Sequence, residues 1–242
     1  HMFYRHDVAD HPANRGRDCE RHRGVIDEMY ERMDVLVGRV AAELNDDAVL
    51  VVLSDHGFCD FSRAVNLNTW LRDNGYLAAK EGVEAGDYLA GVDWSRTRAY
   101  AFGLSGIYIN QTGRESQGIV PAAEAAQLRQ EIADKLTGLH DVERDRRAIR
   151  AVHDCHKKYH GPYVSNGPDL VVGYEKGYRA SWENAVGKID GALFHDNDRF
   201  WSGDHCVDPE LVPGVLFLNR KLPEGTQASI MDLAPTILQL FG

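Results

Sequence analysis

No run in this sequence approaches the roughly 18 consecutive apolar residues that a membrane-spanning helix requires, which excludes a helical membrane protein. Cysteine is scarce and scattered. Cys19, Cys59, Cys155 and Cys206 form no CxxC pair, so neither a disulfide framework nor a structural zinc knuckle is expected. Such dispersed thiols fit a reducing cytoplasm. Positive charge is in deficit: 27 Lys and Arg face 37 Asp and Glu, a net charge of −10. That balance argues against a general nucleic-acid or lipid-surface binder, which needs a basic face. A phosphorylated small substrate stays open, because a local metal site overcomes an acidic average. The opening HMFYRHDVADHP turns polar within four residues and does not read as a signal peptide. Internal repeats and low-complexity runs are absent.

What is present is enough apolar sequence, in 242 residues, for one large domain or two small ones. Arg17 to Leu44 reads as a long amphipathic helix, with Ile26, Met29, Met33, Leu36, Val40 and Leu44 three or four apart. Ala48 to Leu53 follows as a strand, apolar enough to be buried on both faces as in a parallel sheet. Asn66 to Asn74 reads as a short helix closed by Gly75, and Pro121 to Leu136 as a second amphipathic helix. Strands are expected at Arg98 to Phe102, Gly106 to Ile109, Asp169 to Tyr174 and Val215 to Leu218. Ser229 to Phe241 closes the chain as a helix, with Ser229 as N-cap and Asp232 completing a weak capping box. Gly177 to Asp204 has little periodicity and reads as a long functional loop, and residues 79–167 as an irregular insertion. Alternation of strands and helices predicts a layered αβα fold, class α/β, with a mainly parallel central sheet.

The most informative stretch is VLVVLSDHGF, Val49 to Phe58. The strand ends at Ser54, and Asp55 and His56 follow where ligand sites of open α/β sheets lie. An adjacent Asp and His offer one hard and one borderline ligand to a divalent metal such as zinc. Alone, the pair reads as a polar strand-end turn. A second Asp-His pair, in WSGDHCVDP at Trp201 to Pro209, places His205 in a loop ahead of another apolar run and tips the balance toward a metal site.

Taken together, SDHGF, the later GDH and the closing SIMDLAPTILQLFG resemble the alkaline-phosphatase superfamily, and within it the type I phosphodiesterase and nucleotide pyrophosphatase branch. VNLNTWLRDNGYL (65–77), DWSRTRAY (93–100), GIYINQTGRESQGIV (106–120) and PDLVVGYEKGYRASW (168–182) are similar to strings of prokaryotic relatives. The resemblance implies an alkaline-phosphatase-like fold and two divalent metals side by side, zinc first, with manganese or magnesium as alternatives. Asp55 and His56 take the SDHG roles at one metal, and His205 takes the late Gly-x-His role at the other. His1 stands where relatives carry the histidine of an Asp-x-x-x-His motif, although His1-Met2 also reads as a tag remnant before a start codon. By the same resemblance the nucleophilic Thr or Ser and the remaining carboxylates lie upstream of residue 1. The chain is then the carboxyl-terminal part of the enzyme, inactive by itself.

Arg114 and Arg179 are candidate phosphate or substrate contacts, because a guanidinium grips phosphate bidentately. Ser54 and Ser202 adjoin proposed ligands but read as structural, and Cys59 and Cys206 as small half-buried side chains. His153 and His156 read as solvent-facing on a helix. The expected activity is hydrolysis of phosphate esters of the phosphodiesterase type, acting on a small phosphorylated substrate. Sulfate-ester hydrolysis or phosphoglycerate-mutase-like chemistry within the same superfamily, and a non-catalytic remnant or interaction module, are the alternatives. A half-domain would also leave sheet edges and apolar faces uncovered, so self-association is expected.

Overall fold

A computed structural model describes residues 1–242. Along the chain lie α1 (Val25–Ala42), β1 (Val51–Leu53), β2 (Cys59–Val65), α2 (Leu67–Asp73), β3 (Ala99–Phe102), β4 (Gly106–Ile109) and α3 (Ala122–Leu136). Then come β5 (His140–Asp141), β6 (Arg146–Arg147), β7 (Ile149–Asp154), α4 (Cys155–Lys158), β8 (Leu170–Tyr174) and β9 (Gly177–Ala180). The chain continues through α5 (Trp182–Ala185), β10 (Phe194–Asp196), β11 (Gly203–Asp204), β12 (Leu216–Leu218) and α6 (Leu233–Phe241). None of the helices is long and apolar enough to cross a membrane.

Helices and strands are mixed as an α/β class requires, but the mainly parallel sheet expected from the sequence is not what these residues build. Only β2 and β9 pair in parallel; β3-β4-β8-β7 is antiparallel throughout, as are β5-β6 and β1-β12. Chain connectivity is the reason. A parallel pair needs a crossover of a dozen or more residues, whereas β3 and β4 are joined by a tight turn through Gly103. Residues 79–167 are likewise not irregular: they supply β3, β4, α3, β7 and α4. Gly177 to Asp204 is no loop, since β9, α5, β10 and β11 all lie within it. Its strands escape a periodicity search because they are two to four residues long and buried on mixed faces.

The core lies between α3 and the β3-β4-β8-β7 sheet. Ala125, Leu128, Ile132 and Leu136 recur at helical spacing and are buried together with Ile107, Ile109, Ile149 and Leu170. Each large aliphatic side chain there contributes on the order of 2 kcal/mol. The Asn66 side chain caps α2 by accepting from the Thr69 amide at 3.2 Å, which stops β2 and turns the chain into the core. Ser229 and Asp232 form the expected capping box before α6.

A different order holds at the opposite side. α1 buries none of its residues, and Met29, Met33, Leu36 and Val40 all face outward. β1 is not buried on both faces as its composition predicts: Val51 and Leu53 are exposed, and β12 is its strand partner. Phe217, Leu238, Leu240 and Phe241 extend the same uncovered surface.

β2 carries the ionic centre of the fold. Buried Arg63 donates to Asp141 Oδ2 at 2.8 Å and Asp196 Oδ1 at 2.9 Å, and also to Glu143, tying β2 to β10 and to the β5-β6 hairpin. Arg15 and Arg144 each reach Asp196 at 2.6 Å. Burial disfavours the Asp196 carboxylate, but the bonds from Arg144, Arg15 and Arg63 outweigh it and hold its pKa down at about 2. Because this value lies below the ordinary 3.8, the cluster stabilises the fold fully above that value and loses its contribution as pH falls toward 2. Asp196→Asn should therefore cost on the order of 2 kcal/mol at neutral pH and progressively less below pH 4. Denaturant titrations between pH 2 and 7 would check this; a deficit independent of pH would contradict it.

At the end of β2 nearest β1, Gly203 of β11 sits under two rings. A Cβ there would lie 2.6 Å from Tyr4 Cδ2 and 2.9 Å from Phe58 Cε1. Gly203→Ala should lower stability by roughly 1–3 kcal/mol through overpacking, read as a drop in thermal midpoint. An unchanged midpoint would show that the rings yield without strain.

Candidate metal centre

β1 is fastened at its end by Ser54, whose amide donates to Val215 O at 3.0 Å and whose hydroxyl accepts from Val215 N at 3.1 Å. Ser54 is thereby structural. The next residue, Asp55, turns outward with 74% of its side chain exposed and accepts from the His56 amide at 3.1 Å. His56 Nδ1 lies 2.8 Å from Gly57 O. A carbonyl only accepts, so in the neutral ring Nδ1 carries the proton and Nε2 keeps its lone pair for a ligand. Gly57 is required by close approach, since a Cβ would stand 2.9 Å from Pro213 O.

β11 delivers the second histidine. Gly203 pairs with Asp60 and Asp204 with Cys59 in antiparallel register, so His205 emerges beside the Asp55-His56 turn. The His56 and His205 rings stack with centroids 3.8 Å apart and planes 15° from parallel. His1 joins them, its centroid 6.2 Å from that of His205 and 4.7 Å from that of Phe58. Its carbonyl accepts from Ser202 N at 2.8 Å and Gly203 N at 2.9 Å, and its Nδ1 lies 2.6 Å from Gly203 O, again leaving Nε2 free. All four predicted ligands, Asp55, His56, His205 and His1, thus lie in one place. Three imidazoles and a solvent-exposed carboxylate form a donor set suited to borderline divalent cations such as zinc.

Asp204, His205 and Cys206 also bring their ligand atoms within 4.8 Å of one another. This trio is a poorer cradle. Asp204 is only 3% exposed, and both its oxygens are spent on the amides of His205 and Cys206, the Trp201 indole and Arg179. Burial works against its ionisation, but Trp201 and Arg179 hold its pKa below the ordinary carboxylate range. Burial also raises the Cys206 thiol to about 12, with the Asp204 charge adding to the shift. The two Asp-His pairs therefore differ in kind. Asp55 faces solvent as a possible ligand, and Asp204 faces inward as a support.

The two arginines expected to meet substrate do not lie open to it. Arg114 lies in the turn after β4, where it forks Asp169 at 2.6 and 3.1 Å and holds Glu115 at 2.8 Å. Arg179 is 3% exposed, paired with Asp204 at 2.9 Å and flanked by the Phe61 and Trp182 rings. Sequence gave each guanidinium a free end that a buried carboxylate in fact occupies. Of His153 and His156, both read as solvent-facing on a helix, only His156 is an exposed helix residue, in α4. His153 lies on β7 and contacts Asp208 at 3.0 Å, while His156 contacts Asp169 at 2.8 Å. Buried Cys59 is raised to about 11 by desolvation and approaches Asp204 O, so it meets the site as packing. Trp201, stacked on His1 at 3.8 Å, is a site residue that sequence reasoning missed; its place in WSGDH was the available signal.

Comparison with known proteins bears on the same residues. No curated protein matches the chain. Residues 4–197 match the family described as type I phosphodiesterase / nucleotide pyrophosphatase, a span that includes Asp55 and His56 and ends before His205. With most of its length so matched, the chain belongs to the type I phosphodiesterase / nucleotide pyrophosphatase family, a family of phosphoric ester hydrolases in the alkaline phosphatase superfamily.

Proposed function

We propose that this chain is the carboxyl-terminal part of a metal-dependent phosphodiesterase or nucleotide pyrophosphatase. In this reading Asp55 and His56 hold one divalent cation and His205 and His1 share in a second, with zinc the first choice. The observation that carries it is the face-to-face approach of His56 and His205 at 3.8 Å, from segments far apart in the sequence. Two cations roughly 3.5–4 Å apart would neutralise the charge developing on both attacking and leaving phosphoryl oxygens. The chain's own part is to fix the donors. Gly57 O and Gly203 O orient the His56 and His1 imidazoles, and the Ser54-Val215 bonds hold the turn that presents Asp55.

The Thr or Ser nucleophile and the missing carboxylates belong, on this proposal, to an upstream segment. Asp55 supports this, because it has no arginine or lysine partner and points into open space beside the uncovered β1 face. A cleft of about 540 Å³, lined by Ile26, Met29, Met33, Phe58 and Val215, runs from α1 to His56 and His1. Apolar walls on that scale beside a polar centre fit a chain that packs further sequence there. The same surface favours self-association of residues 1–242 alone.

Zinc titration by calorimetry should find weak binding in residues 1–242 and tight binding of two ions once the upstream segment is joined. In that longer protein, Asp55→Ala or His205→Ala should reduce hydrolysis of a bis-aryl phosphate ester by more than the roughly 100-fold lost with an outer-shell partner. Unchanged activity in Asp55→Ala, or two tight sites in residues 1–242 alone, would overturn the reading. Sedimentation of residues 1–242 should show concentration-dependent association that disappears when the upstream segment is present.

A further inference from the structure

Asp204 is placed unlike any other carboxylate near the centre. Three donors and one cation converge on it: the amides of His205 (2.8 Å) and Cys206 (3.3 Å) on Oδ1, and the Trp201 indole (2.9 Å) with Arg179 Nε (2.9 Å) at Oδ2. Arg179 Nε finds no aligned hydrogen-bond partner despite that distance, so this last contact is Coulombic. The guanidinium is itself held in a layered stack, 4.8 Å above the Phe61 ring and 4.5 Å from Trp182, whose edge meets Trp201. Trp201 in turn stacks on His1 with planes 21° from parallel.

We propose that Asp204, clamped by Arg179, is the positioning residue of the candidate centre: one buried carboxylate fixes His205 through its backbone and His1 through Trp201. A carboxylate serving only to neutralise Arg179 would need a single oxygen. Here the other oxygen is spent on two successive amides of the loop that carries His205, which sets where that loop leaves β11. The acid is required in kind as well as in place. Every neighbour is a donor, so an Asn at this position offers one acceptor and turns its own N–H toward the indole or the guanidinium. The effect on metal binding rests on the reading of the centre given above; the effect on the two imidazoles does not.

The test compares the wild-type chain with Asp204→Asn and with Arg179→Lys, which keeps a cation beside Asp204 but loses the planar stack. Histidine-selective nitrogen NMR, indole hydrogen exchange and zinc calorimetry are read on each, with Asp141→Asn as a control for the loss of a buried carboxylate. In Asp204→Asn the His205 and His1 imidazole resonances should move toward solvent values and the Trp201 indole proton should exchange at least about tenfold faster. Zinc affinity should fall roughly 10–100-fold, the usual cost of losing an outer-shell partner. Arg179→Lys should show the same changes at smaller size, and it decides the matter should Asp204→Asn fail to fold. Asp141→Asn should lose stability with these imidazole resonances in place. A folded Asp204→Asn with wild-type resonances and affinity, or an Arg179→Lys that moves neither imidazole, would overturn the proposal. Should zinc binding to residues 1–242 be too weak to measure, the imidazole resonances and the indole exchange decide the positioning role.

Discussion

The short pairing of β11 on β2 is the contact on which the candidate centre depends. Only two residues on each side take part, Gly203 with Asp60 and Asp204 with Cys59, yet their register decides which side chains leave the strand ends together. A slip of one residue would turn His205 to the other face, because side chains alternate along a strand. The register is held from several directions. Gly203 admits no side chain beneath Tyr4 and Phe58, Ser202 O accepts from Phe61 N at 2.8 Å, and the His1 carbonyl takes the amides of Ser202 and Gly203. Backbone bonds of modest individual worth thus combine to fix a side-chain juxtaposition that no single residue specifies.

β2 does this while serving as the hub of its sheet. Its parallel partner β9 brings Arg179 alongside, its antiparallel partners β10 and β11 bring Asp196 and Asp204, and Arg63 on β2 itself binds three acids. Two buried ionic assemblies therefore share one strand. Around Arg63 the charges lock the hairpin and the amino-terminal segment to the sheet. Around Arg179 they support the loop that carries His205. Stability and site geometry are consequently coupled through the same seven residues.

Against this well-packed part stands a surface that is hydrophobic without being covered. α1, β1, β12 and the end of α6 carry the composition of an interior and the exposure of an exterior. Apolar area of this extent is costly in water, which is the physical argument behind the proposed contact with further protein. It adjoins the turn of Asp55 and His56, so whatever packs there also shapes the open side of the candidate centre.

Much of the local structure was legible because it depends on local chemistry. Helical spacing marked α1 and α3; Asn66, Gly75 and the Ser229-Asp232 box marked helix ends; and the Asp-His pairs pointed to a candidate site through residue type and order alone. β2 and β7 were missed because CDFSRAV and IRAVHD mix polar and apolar residues whose burial depends on ionic partners elsewhere, Asp141 and Asp208 among them. The arginines were misread for the same reason. Sequence by itself determined the family, the periodic helices and the kind of donor atoms on offer. Tertiary structure alone decided which carboxylates stay open and which are consumed, since Asp55 and Asp204 share the same Asp-His sequence and differ only in what packs against them. The direction of strand pairing was settled there too, because chain connections and buried charges, unlike periodicity, act between residues that sequence holds far apart.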